Sequence, residues 1–271
     1  MLPALLGVDF SCAPTRRKPI TVARGRFDGE RLRLDAVDAL PAMRGFDALL
    51  AEPGPWFGAF DFPFGLPRAF VDALALGAST ATVIDALHRR CADRMGLRAL
   101  IDDWSRDRPA GQRLVHRRTD LAMAGTRSTS PLQTRYVPVG FMYYEGLWRL
   151  VRAGVALPRL HAGDPRRQAV EAYPGLLAHE LVGRRSYKNR DDADRRAARA
   201  AIVDALAHGR TRLALRLVLD RSLRGRLLAD CSGDTLDAVL CLAQAAWASV
   251  RPAGGLPADV DPVEGWIATA G

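Results

Sequence analysis

Residues 5–34 read Leu5-Leu6-Gly7-Val8-Asp9-Phe10-Ser11-Cys12-Ala13-Pro14-Thr15-Arg16-Arg17-Lys18-Pro19-Ile20-Thr21-Val22-Ala23-Arg24-Gly25-Arg26-Phe27-Asp28-Gly29-Glu30-Arg31-Leu32-Arg33-Leu34. Leu5 to Phe10 form an apolar run with an acid, Asp9, at its end and a turn following at Ser11–Pro14, the pattern of a buried strand with a functional tip. Pro19 to Arg24 and Glu30 to Leu34 alternate apolar and polar residues across Phe27-Asp28-Gly29, the pattern of a hairpin continuing from the first strand. Three antiparallel strands therefore open the chain.

Working outward, Pro41 to Ala51 carries Met43, Phe46, Leu49 and Leu50 at helical spacing and stops at Pro53-Gly54-Pro55. Trp56 to Phe62 reads as a second buried strand, holding Asp61 near its end, with a helix starting near Arg68. Thr80 to Trp104 is helical by period, whereas 107–138 is polar, arginine-rich and without period, as functional loops and lids are. Phe141 to Ala153 resumes helix, Gln168 to Tyr173 reads as a strand, and all that follows reads as helix: 191–208, 211–223 and 234–250. This order predicts one α/β domain over 1–271 with a helical and loop insertion at about 79–160.

Composition narrows the function. The 271 residues carry 39 basic and 30 acidic side chains, yet lysine occurs only at Lys18 and Lys188, so arginine usage rather than a dedicated basic tract sets the net +9. A positive field draws phosphate polyanions, and it lifts a nucleic-acid partner modestly. No apolar run reaches the roughly 18–20 residues that span a bilayer. The apolar start, residues 1–8, has no basic residue before it and is cut by Asp9, so neither a secretory signal nor a membrane partner is expected and the chain reads as cytoplasmic. Cys12, Cys91, Cys231 and Cys241 show no CxxC spacing, and the five histidines make no HExxH, so structural zinc is not expected.

Five acidic residues at four places share one pattern. Asp9 and Asp61 close apolar strands, Glu171 lies near the end of a third, and Asp234 with Asp237 opens the last amphipathic helix. Carboxylates at the carboxyl ends of central strands converge on one edge of an open sheet, where ligands of α/β folds bind. Such acids repel one another and raise each other's pKa values unless a cation compensates, and their hard oxygens select magnesium or manganese. Each also has a structural reading. Asp9 and Asp61 suit Asx-turns, and Ser232 or Asp234 suits a helix cap.

Four blocks carry a resemblance: Gly7-Val8-Asp9-Phe10-Ser11, residues 58–66 around Asp61, Val170-Glu171-Ala172-Tyr173-Pro174, and Gly233-Asp234-Thr235-Leu236-Asp237-Ala238. In that order they resemble the signature blocks of a bacterial and archaeal domain-of-unknown-function family described as predicted RNase H-fold nucleases. The resemblance implies an RNase H-like mixed sheet, three antiparallel strands then parallel ones, flanked by helices. It also implies hydrolysis of phosphodiester bonds by two magnesium or manganese ions about 3.5–4 Å apart. Asp9 would bridge both ions, Asp61 and Asp237 would each complete one sphere, Asp234 would add a metal ligand, and Glu171 would ligate or position substrate.

Lys188, in a block that also resembles a family motif, and Arg117 and Arg118, in the insertion, are candidate phosphate contacts, each with a solvated surface role as the alternative. Phe141, Tyr143, Tyr144 and Trp148 have base-stacking chemistry at core-packing spacing. Two other readings stand beside the nuclease: a phosphohydrolase of a small phosphoester, and a module that keeps the fold and binds nucleic acid or protein without catalysis. DNA and RNA are equally open.

Overall fold

The computed structural model describes residues 3–123 and 125–270; the first two residues of the apolar start lie outside them. The opening strands β1 (Ala4–Asp9), β2 (Ile20–Phe27) and β3 (Arg31–Leu40) pair antiparallel, as their alternation requires. Then come α1 (Met43–Leu50), β4 (Trp56–Phe60), α2 (Arg68–Ala73), α3 (Thr80–Arg90), α4 (Arg94–Ser105), α5 (Arg118–Leu121) and α6 (Val139–Met142). A π-helical turn at Tyr143–Leu147 leads into α7 (Trp148–Arg152), followed by β5 (Val155–Ala156) and β6 (Asp164–Glu171). The chain continues through α8 (Pro174–Val182), α9 (Ala193–Ala207), β7 (Arg216–Val218), α10 (Arg221–Ala229) and α11 (Asp234–Ser249).

The sheet order is β5-β6-β4-β1-β2-β3-β7, with β4, β5, β6 and β7 each joined by parallel pairing. This mixed sheet flanked by helices is compatible with an RNase H-like fold. α11 lies across β1, β2 and β4 and also packs against α8 and α10. Its residues are buried without a break from Leu236 to Ala246, as a helix enclosed on every side must be. On the other face Phe46 of α1 meets Phe10 and Phe60, with ring centroids 5.0 and 6.1 Å apart. No helix among the described residues is long and apolar enough to cross a membrane.

Two expectations are corrected. Thr80 to Trp104 is two helices: Cys91 is extended, and the Asp93 carboxylate accepts the N–H groups of Met95 and Gly96 at 2.9 Å to cap α4. Residues 211–223 are not one helix. Leu213, Leu215 and Leu217 are buried while the residues between them are not, the period of two that makes β7 beside β3. Asp220 then caps α10 through the Leu223 N–H.

The last residues form a strap. Thr80 N–H reaches the Pro262 carbonyl at 2.7 Å, and Arg68 pairs with Asp261 at 2.5 Å. Ile267 bridges to Glu171 beside the end of β6, and Thr119 Oγ1 accepts its N–H at 3.0 Å. Gln244 of α11 donates to Thr269 at 2.5 Å.

Candidate functional site

The sheet register sorts the acidic residues. Val8 of β1 lies opposite Phe60 of β4, and the Asp61 N–H reaches the Val8 carbonyl at 2.9 Å, so Asp9 and Asp61 close adjacent strands at one level. Side chains alternate along a strand, so Asp9 shares the face of Gly7, which α11 covers. A Cβ on Gly7 would stand 2.1 Å from the Leu242 nitrogen and 2.2 Å from the Ala238 carbonyl oxygen. Only glycine admits the helix at this distance, and the approach sets Asp237, the neighbour of Ala238, beside Asp9.

The electrostatics follow from that crowding. Burial, then Asp237, Asp61 and Asp234, raise Asp9 well above the ordinary carboxyl range. Burial and Asp237 push Asp61 up to about 7. Among the described residues no hydrogen-bond donor touches either carboxylate, so the Asx-turn alternative is absent at both. Asp237 is different: 2% exposed, it accepts the Tyr187 hydroxyl on Oδ1 and the Lys188 ammonium on Oδ2 at 2.6 Å. Against burial, which lowers it, Asp237, Asp61 and Asp9 raise Lys188, and the one ammonium offsets part of the charge of all three.

Asp234 sits at the start of α11 and borders a groove with Arg17 and Thr21. Gly233, at φ +86°, holds the capping position; Ser232 Oγ accepts the Asp234 N–H at 3.2 Å and Asp230 accepts the Thr235 N–H at 2.9 Å, so among the described residues Asp234 itself caps nothing. A Cβ on Gly233 would lie 2.6 Å from the Cβ of Lys188, so this glycine also lets the lysine loop close on the helix.

Glu171 registers with Phe60, not Asp61, and therefore faces the opposite side of the sheet. There it forms a two-pronged pair with Arg117, at 2.8 and 2.6 Å, and accepts the Phe64 N–H at 2.8 Å. Arg117 also binds Asp120 at 2.8 Å, and Ser128 donates to Asp120 at 2.5 Å. The solvated alternative for Arg117 is thus corrected: at 1% exposure its donors are spent on two carboxylates and the Glu264 carbonyl. Arg118 is exposed and pairs with Asp259 at 2.9 Å. Tyr143 and Tyr144 belong to the core, as their spacing indicates, with Phe141 buried beside them and His88 stacked between Tyr144 and Trp148.

A cavity of about 230 Å³ lies over the ends of β4 and β6. Asp61, Lys188 and Tyr173 line it on the carboxylate side, and Thr129, Val139 and Met142 of the insertion line it opposite. Tyr173 is a residue the acidic pattern does not single out. Its backbone N–H and carbonyl both bond the Gln244 side chain, at 3.1 and 3.3 Å, and its ring rests against Gly175. Burial, then Asp61, raise its phenol. A glutamine inside a helix that is otherwise apolar over 238–246 was the available signal, because a buried amide requires partners.

Hard oxygen donors that lack hydrogen bonds and repel one another suit a divalent cation, and Asp9 and Asp61 meet that description, whereas both oxygens of Asp237 beside them are already bonded. As the side chains stand, no three acids, histidines or cysteines among the described residues are gathered as a chelating group, and the Lys188 ammonium supplies the positive charge. No curated protein and no solved structure matches the chain. The family model described as "Protein of unknown function (DUF429)" matches residues 7–261, from the glycine that admits α11 to the aspartate that starts the strap, and the chain belongs to that family.

Proposed function

We propose that the protein is a magnesium- or manganese-dependent hydrolase of phosphodiester bonds, a nuclease on an RNase H-like core. The observation that carries this reading is the pair Asp9 and Asp61, side by side at adjacent strand ends, both raised by burial and by Asp237, and neither touched by a described hydrogen-bond donor. Two such carboxylates are compensated by a shared proton or by a cation, and the one Lys188 ammonium is divided among three acids, which leaves a divalent ion a place. Asp9, Asp61 and Asp237 would hold the metal, with Asp234 at the rim. When bound, divalent ions activate water and stabilise the charge that develops on a phosphoryl centre. Lys188 holds Asp237 in place and presents its ammonium to the cavity, where an anionic substrate oxygen finds it. Glu171 contributes by fixing Arg117 behind the site.

The test is calorimetric titration of manganese into the wild type, Asp9→Asn and Asp61→Asn, followed by incubation with DNA and RNA, single- and double-stranded. Binding by the wild type alone, with metal-dependent cleavage, is the expected result. Folded wild type that binds no manganese at millimolar concentration overturns it. The Lys188–Asp237 pair favours a second reading, a fold-retaining module whose lysine stands permanently where a cation would be. That module would bind nucleic acid or a protein partner undiminished in the Asp9→Asn variant. Metal binding without cleavage of any polymer would point instead to a small phosphoester.

A further inference from the structure

The cavity beside Asp61 is built differently from the carboxylate cluster it adjoins. Charge enters it at Asp61 and Lys188, and Arg117 with Glu171 neutralise each other at its edge. The remaining wall is formed by Tyr173, Thr129 and mainly apolar residues, Phe62, Val139, Met142 and Ile267 among them, while the Ser128 hydroxyl is already spent on Asp120. Its volume of about 230 Å³ falls below the roughly 300–1,000 Å³ of pockets that take whole drug-sized ligands. That is room for one small group, such as a single planar ring system. Gly175 lies close against the Tyr173 ring and Gln244 fixes the Tyr173 backbone, and no described residue bonds its hydroxyl. A rigid aromatic wall with a free hydroxyl, next to charges that suit a phosphate, matches a nucleobase one step from the phosphate being attacked.

We infer that this cavity takes one unpaired nucleobase, stacked on Tyr173, and that the protein therefore acts on single strands or frayed ends rather than on intact duplex. The inference rests on the proposed phosphodiester chemistry at Asp9 and Asp61. A base still paired would have to bring its partner strand into the same cavity, whose size matches one ring system.

Equilibrium binding tests it without requiring turnover. A labelled single-stranded oligonucleotide and its blunt duplex are titrated with the wild-type protein, with and without manganese, at low salt. The single strand is expected to bind at least tenfold more tightly. Tyr173→Ala should weaken single-strand binding by roughly 5- to 150-fold, the range spanned by loss of one stacking aromatic. Tyr173→Phe should retain it. Thr129→Trp, at an exposed wall position that tolerates bulk without disturbing the fold, should weaken it by occluding the cavity. Equal affinity for duplex, no binding of either, or wild-type affinity in both Tyr173→Ala and Thr129→Trp would overturn the inference. Manganese titration of the same samples separates the two claims: intact metal binding with no strand preference sinks the base pocket alone, while absent metal binding sinks the catalytic reading.

Discussion

At Asp61 the folded pKa of about 7 lies above that of an unfolded chain, so folding favours the protonated acid. Its contribution to stability is complete below about pH 4 and is lost as the pH climbs toward 7, the reverse of a salt-bridged carboxylate. Without divalent ions the melting temperature should fall across that window. Asp61→Asn should flatten the slope, and manganese at pH 7 should raise the wild-type melting temperature but not the variant's. Glu171 predicts differently. Glu171→Gln leaves Arg117 buried with half its charge partners, and urea unfolding should show a loss of about 3–5 kcal/mol with manganese affinity little changed. A loss of metal affinity with full stability would instead make Glu171 a ligand. Asp9 and Asp61 were legible in the sequence because each follows an apolar run. The different place of Glu171 was not, because the parity of a residue depends on register with a strand more than a hundred residues away. The neutralisation of Arg117 was equally hidden, since its partners come from three separate segments.

Among the elements, α11 and β1 decide whether a site exists. Gly7→Ala would drive a methyl group into the backbone of α11 from Ala238 to Leu242, which cannot yield as a side chain could. Overpacking of this kind costs about 1–3 kcal/mol where side chains can shift, and here at least the upper end is expected from denaturant unfolding. Manganese affinity should fall with it, because Asp237 moves away from Asp9 when the helix does. Retained affinity would show that the trio does not depend on this contact. The sheet's opening was readable from alternation and the Asp28-Gly29 turn, and α11 from its period. β7 is masked in the sequence although Leu213, Leu215 and Leu217 alternate, because leucine and arginine are strong helix formers and the segment sits among helices. The break between α3 and α4 was also on the page, in an aspartate placed just before the second helical run.

Across the whole molecule, the strap from Asp261 to Thr269 ties α2, α3 and α5 to β6 and α11. These ties join the two faces of the sheet, so a chain ended after residue 258 should lose cooperative unfolding and melt in a broad transition at lower temperature, as circular dichroism would report. A sharp transition near the wild-type temperature would show the strap to be ornamental. The closing of α11 onto β1 has one more consequence, in the order of protein synthesis. A nascent chain made as far as residue 233 already holds Asp9 and Asp61 but has no helix to set beside them. It emerges from a ribosome, a particle built largely of RNA, with an incomplete centre. On the proposed reading, hydrolysis would begin only after α11 has been translated and docked, so the order of the chain itself would delay activity until the protein is folded.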